Sequence, residues 1–366
     1  MKNHPTRISV RSRMIVFTLA LLLATVSLTS CARGGDIRVA GSGACPTIYK
    51  IKFQVYPGSV VNLWPDVADQ QGYFAKHCIQ ATGQIVNSGP AALAQLAAGD
   101  LQTMMSTPDN FIQARANGFK LKMVATAATR ASLGFVVANK FVTPGMSVDD
   151  AVKSLRGKSI GVNSQGSQMQ YFAAAMLKQH GVDPKDVKFV GLGTPSSMLA
   201  SLQRDNVQAA VFDSQYTDMV TSLGFATKYA DMRYPTNAGN LTPMPEAFQA
   251  MEGMASSYAF TDEFLAKYPD AAKGWRDAIA EAADFAGNPD NRSRVRDIVH
   301  QAGRVVITEA TPNAQQIFNT AVDAAAASSK PHAAMNPDLL QKWIDWTAAA
   351  RKIADPPKAA DLIWNG

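Results

Sequence analysis

Cysteine is scarce in this chain: three residues in 366, too few for a disulfide-dense scaffold. Charge is sparse as well, at 17% Asp, Glu, Lys and Arg against 47% hydrophobic residues. The 25 Gly and 19 Pro follow no period. Together these proportions exclude collagen, coiled coil, a wholly disordered chain and a multi-span membrane protein. Catalytic signatures are missing too. The five histidines, His4, His77, His180, His300 and His332, are isolated, with no pair four apart and no His-Glu-x-x-His. No Gly-x-Ser-x-Gly elbow occurs, Gly191-Leu192-Gly193 lacks the third glycine of a dinucleotide fingerprint, and Gly161–Gly166 lacks the P-loop lysine. Cys45 and Cys78 are too far apart for metal-ligand spacing. The expectation is no enzyme, no metal and no cofactor.

The net charge of +6 invites a nucleic-acid reading that its location removes. Lys2, Arg7, Arg11 and Arg13 stand without an acid in the first 31 residues, which leaves 31 bases against 29 acids beyond them. A body near +2, with no basic run, offers no footprint for nucleic acid.

Those four bases head a leader. Met14–Leu28 is an apolar run of fifteen residues, short of the ~20 that span a bilayer and suited to a secretory signal. It ends in Leu28-Thr29-Ser30-Cys31, which resembles a bacterial lipoprotein box; that resemblance implies cleavage before Cys31 and acylation of it. The alternative is an ordinary secretory signal that ends near a cysteine. Acylation would tether the protein to a membrane surface at the periplasm or cell surface, without spanning the membrane. Cys45 and Cys78 then remain, an even pair in an oxidising compartment, expected to form a disulfide; the alternative is two buried thiols.

Along the rest of the chain short β-rich runs alternate with helical ones. Strands are expected at 51–56, 81–86, 101–106 and 121–127, and again at 134–138, 158–162, 188–190 and 209–212. Helices of about ten residues lie between them, and from 262 onward only helices follow. The fold class is α/β, with parallel-rich sheets in βαβ units and a helical C-terminal return. The division expected is a leader over 1–30, a lipidated Cys31 and tether over 31–48, one discontinuous lobe over 49–130 plus 231–366, and a second lobe over 131–230. Met104, Met105, Met244, Met251 and Met254 read as core fillers, and Trp343, Trp346 and Trp364 as packing.

In open parallel sheets ligands sit beyond the carboxyl ends of the strands, at helix starts. The loops there are rich in hydroxyl and amide groups, which cap helices or ring a small solute equally well. The candidates are Tyr56, Ser59, Asn87, Ser88, Thr107 and Asp109 in the first lobe, and Asn163, Gly166, Ser167, Thr194 and Asp213 in the second. Tyr56 and Trp64 are placed to stack on a planar ring or to pack. Hydroxyls and helix N-termini favour an oxyanion such as a sulfonate or carboxylate; no arginine stands in these loops to clamp one, and Asp109 and Asp213 suit an amino group or a pyrimidine-like heterocycle with N–H donors.

Pro65-Asp66-Val67-Ala68-Asp69-Gln70-Gln71-Gly72-Tyr73-Phe74, Leu96-Ala97-Ala98-Gly99-Asp100 and Gly118–Val124 resemble motifs of bacterial solute-binding proteins. Leu155–Val162, Gly181–Val187 and Gln208–Asp213 continue the likeness, which covers about residues 50–300. The group is the nitrate/sulfonate/taurine and thiamine-precursor (NMT1/THI5-like) proteins. Cys78 departs from it, standing where relatives usually have Gly. The resemblance implies a two-lobed, type II-like periplasmic-binding fold with a hinge near Ala128–Leu133 and Tyr229–Arg233. It implies a monomer that carries a sulfonate, a carboxylate or a pyrimidine-like heterocycle to the permease subunits of an ABC transporter, without chemistry. Two other functions stay open: an exported sensor or adaptor, and a pyrimidine synthase that uses its own His and pyridoxal phosphate.

Overall fold

The computed structural model describes residues 36–234, 239–250 and 252–366. The leader, Cys31 and the start of the tether lie outside these residues, as does Met251. Among the described residues no helix is long and apolar enough to cross a membrane.

The strands are β1 (Arg38–Ser42), β2 (Cys45–Val55), β3 (Ile79–Ile85), β4 (Met104–Ser106), β5 (Leu121–Ala128), β6 (Leu133–Ala138), β7 (Ser159–Val162), β8 (Lys188–Gly191), β9 (Ala209–Asp213), β10 (Ala226–Asp231) and β11 (Ser256–Thr261). They form two lobes of one design. In one lobe the order is β10-β6-β9-β7-β8. In the other, β3-β2 is joined through a parallel bridge between Phe53 and Thr103 to β4-β11-β5. The two orders correspond strand for strand. In each of these five-strand orders four strands run one way and one, β6 or β11, runs against its neighbours, and β1 adds a further antiparallel strand beside β2.

The chain path explains the reversed strand. β5 ends at the edge facing the other lobe, and only residues 129–132 separate it from β6. A strand entered directly from that edge must run away from it, against strands that run toward it. β11, which follows β10 after the return crossing, obeys the same constraint. The sheets are therefore mixed where βαβ units alone would give parallel ones.

Two elements were not anticipated. Part of the expected tether is β1, paired antiparallel to β2 with Val39 opposite Ile48. β10, Ala-Thr-Lys-Tyr-Ala-Asp, has weak strand character and is held by pairing with β6. The sequence places helix over about 262–286 with Pro269 as a break, and the structure has two helices there, Asp262–Lys267 and Pro269–Gly287, because Pro269 cannot continue the preceding helix.

The helical return packs on the first lobe. Trp275, fully buried on helix Pro269–Gly287, stacks on Phe74 at 4.8 Å between ring centroids and meets Phe53 at 5.4 Å and Tyr258 at 5.6 Å. Each such aromatic pair contributes about 0.5–1.5 kcal/mol beyond its burial. The second lobe has its own core, running from Leu133 to Met244 around Phe135, Phe172 and Phe212.

Cys45 and Cys78 are bonded, with Cα atoms 5.4 Å apart. The bond ties the start of β2 to the residue before β3. Cys78 has φ of +59°, a left-handed conformation that costs a side-chain-bearing residue about 1–2 kcal/mol. Glycine would adopt that geometry without this cost.

Candidate functional site

The carboxyl ends of β2, β4, β7 and β9 face one another across the two lobes, and a cleft lies between them. Its volume is about 920 Å3 counting the solvent at its open mouth, in the range of small-molecule sites. Tyr56, Ser59, Asn87 and Thr107 line it from one side, and Asn163, Ser167 and Asp213 from the other. Val61, Met105, Leu133, Met169, Met198 and Phe212 supply its apolar wall.

Each polar group is held by its neighbours. Tyr56 Oη donates to the Met105 carbonyl at 2.9 Å, and Asn62 Nδ2 donates to the Tyr56 carbonyl at 2.7 Å. Ser167, at the start of helix Gln168–Gln179, donates to the Ser164 carbonyl at 2.7 Å. Thr107 donates to Asp109. Asn110 Nδ2 donates to Ser106 Oγ at 2.8 Å.

The lobes touch at the cleft. Ser59 Oγ donates to Asp213 Oδ1 at 3.1 Å, and Gln215 Nε2 donates to the Gly58 carbonyl at 2.5 Å. Gly58 has φ of +75°, and a Cβ there would lie 2.1 Å from Tyr216 Oη, so the loop approaches the other lobe because it carries no side chain. Asp213 has no cation beside it. Burial pushes its carboxyl up to about 7, against the pull of the Ser59 hydroxyl. The nearby phenols of Tyr56 and Tyr216 are also raised, first by burial and then by Asp213.

Five sequence candidates do not line the cleft. Trp64 is buried in the first lobe with Nε1 donating to Ser329 Oγ at 2.9 Å, because its helix turns that face toward the core. Ser88 and Thr194 accept from the backbone of Ala91 and Ser197 as helix caps, each at 3.3 Å. Gly166 forms the turn before Ser167, its N–H donating to Gln170 at 2.8 Å. Asp109 lies behind the wall and pairs with Arg351 from the C-terminal helix Pro337–Arg351.

The structure brings other residues to the cleft that loop chemistry did not mark: Ser132, Asn110, Ser256, Met169 and Met198. Met105, read as core, lines it as well. Ser132 and Ser256 flank the two interlobe crossings, where strand order alone places them. Met169 and Met198 lie in the first turns of helices Gln168–Gln179 and Pro195–Gln203, whose apolar stripes gave no sign of which residue faces the cleft. Among the described residues, no group of three His, Cys, Asp or Glu side chains is placed to hold a metal.

Solved structures share this architecture. A Bordetella bronchiseptica RB50 protein superimposes with a TM-score of 0.70 at 17% identity, covering 86% of this chain and 94% of its own. The ligand binding component of an ABC-type import system from Staphylococcus aureus, solved with zinc, gives 0.62 at 13%, covering 86% and 96%. The alkanesulfonate-binding protein SsuA from Xanthomonas axonopodis pv. citri, bound to MOPS, gives 0.62 at 16%, covering 86% and 97%. At these identities the likeness shows the fold, the two-lobed periplasmic-binding-protein fold. No curated protein sequence matches the chain. The profile described as NMT1/THI5 like matches residues 66–292, well over half of the sequence, and the chain belongs to that family.

Proposed function

We propose that this protein is the exported solute-binding component of an ABC importer, which captures a small organic solute between its lobes and presents it to the permease. The observation that carries this reading is the cleft itself: polar loops at equivalent strand ends of two lobes converge on one small cavity. Two structurally similar proteins are named as an importer's ligand binding component and as an alkanesulfonate-binding protein, which supports the same role. A sulfonate or carboxylate anion and a pyrimidine-like heterocycle are both of a size the cleft admits.

In this reading residues 131–230 form one lobe, and residues 49–130 with 231–366 form the other. The crossings near Ala128–Leu133 and Tyr229–Arg233 are the hinge. A solute that touches both lobes only when they are closed shifts the population toward that form, and the permease responds to it. Cys31 anchors the mature monomer to a membrane surface, and no bond of the solute is made or broken.

The test is equilibrium binding across sulfonates, aromatic acids and pyrimidines, with small-angle scattering on the same samples. A ligand tighter than ~100 μM (about 5.5 kcal/mol) that also contracts the particle is expected. Binding without contraction would refute the closure mechanism, and no binding by any class would refute the transport role.

A further inference from the structure

The cleft presents the amides of Asn87, Asn163 and Gln168 and the hydroxyls of Ser132 and Ser256, while other hydroxyls are committed as donors. Four hydroxyls of its wall have already given their protons to the protein: Tyr56 to the Met105 carbonyl, Ser59 to Asp213, Thr107 to Asp109 and Ser167 to the Ser164 carbonyl. Toward a solute these four oxygens can only accept. The one formal charge among the cleft-lining residues is the carboxyl of Asp213, and no Lys, Arg or His is among them. Arg351 lies behind Asp109, with its guanidinium 4.1 Å over the ring of Tyr171.

Several of the helix starts that would welcome an anion lack a donor or have one already taken. Pro90, Pro108 and Pro195 stand in the first turns of three helices that reach the cleft and carry no N–H. The N–H groups of Val61, Ala91 and Ser197 are taken by Ser59, Ser88 and Thr194, and that of Gly166 by Gln170. Backbone donors and positive dipole are what helix starts offer an anion; at these positions that capacity is absent or occupied, whereas the start of helix Gln168–Gln179, at the cleft, has neither a proline nor a side-chain cap.

Resting on the solute-binding reading above, we infer that the cleft recognises its solute through N–H donors, an ammonium or amidine group directed at Asp213, and discriminates against sulfonates. The apolar remainder of the solute packs on Met105, Met169, Met198 and Phe212. Asp213 and the hydroxyl oxygens of Ser59 and Tyr56 stand at the polar end, so a cationic head there makes the charge-assisted hydrogen bonds that the wall lacks. A sulfonate in the same place would set its oxygens against a carboxylate and oxygens that have no proton to give.

Calorimetric titration of the full chain in detergent at pH 8 tests this with two matched pairs: propylammonium against propane-1-sulfonate, and benzamidine against benzenesulfonate. Each cation is expected to bind about tenfold or more tightly than its partner, the range of one charge-assisted hydrogen bond. Asp213→Asn should remove the preference. Tighter sulfonate binding in both pairs overturns the inference and leaves the solute-binding reading standing. A cation preference that survives Asp213→Asn also overturns it. No heat with any of the four, and no small molecule released when the purified protein is denatured, overturns both.

Discussion

At the scale of single residues, Asp213 and Cys78 hold conformations or protonation states that their surroundings impose. The Asp213 carboxyl is held near 7 by burial in the closed cleft, with only hydroxyl and phenol groups facing it: Ser59, Tyr56 and Tyr216. Opening the lobes solvates it and returns it toward the ordinary range near 3.9. The closed, solute-free form therefore binds a proton that the open form releases. Its advantage is complete below about pH 4 and is lost as pH rises through about 7. Scattering without solute should show a larger particle at pH 8 than at pH 5, and Asp213→Asn should show little change. At Cys78 the disulfide closes a loop across a separation of 33 residues, for which chain entropy gives ~3–4 kcal/mol. Cys45→Ser should lower unfolding stability by about that amount in denaturant. The double variant Cys45→Ser, Cys78→Gly should recover about 1 kcal/mol of it, since glycine accepts the positive φ freely. The possibility of this pairing was visible in the cysteine count; the left-handed backbone at residue 78 was not, because φ is set by how helix and strand meet around it.

At the scale of elements, the C-terminal helix Pro337–Arg351 does more than fill a groove. Trp343 packs it against the first lobe and donates to the Met254 carbonyl at 2.8 Å, while Arg351 at its end reaches Asp109 behind the cleft wall. Arg351 also lies over Tyr171, on helix Gln168–Gln179 of the other lobe. Thr107, Asp109, Arg351 and Tyr171 thus form one chain of contacts from the cleft wall to the opposite lobe. Removing the guanidinium leaves a fully buried carboxyl without its cation, a loss of about 3–5 kcal/mol. Tyr171→Ala should cost far less, on the order of 1–2 kcal/mol, the worth of a desolvated cation–π contact. Urea unfolding of Arg351→Ala, Tyr171→Ala and the double variant measures both and their coupling. Equal losses for the two single variants would sink this account. Sequence periodicity located these helices to within a few residues, since an apolar stripe and a proline in the first turn are local signals. That Arg351 meets Asp109, 242 positions earlier, is a property of packing and has no local sign.

At the scale of the whole molecule, the proposed closure depends on how closely the two lobes approach, and Gly58 lies at a close contact between them. Gly58→Ala would place a methyl group 2.1 Å from Tyr216 Oη only when the lobes are closed. Its positive φ adds about 1 kcal/mol of local strain. The expected result is a folded protein with a larger radius of gyration and at least a roughly tenfold weaker solute affinity, read by scattering and titration; unchanged affinity would remove Gly58 from the closure contact. The amino-acid sequence by itself determined the alternation of strands and helices, the polar loops at strand ends and the possibility of a Cys45–Cys78 pair. Each of these rests on short-range propensity, capping and composition. Tertiary structure alone decided which loop residues share the cleft. It turned Trp64 inward to Ser329, set Asp109 behind the wall, brought Asp213 to Ser59 and reversed β6 and β11. The reason is that burial and hydrogen-bond partners are fixed by segments distant in the chain, which meet only once both sheets have formed.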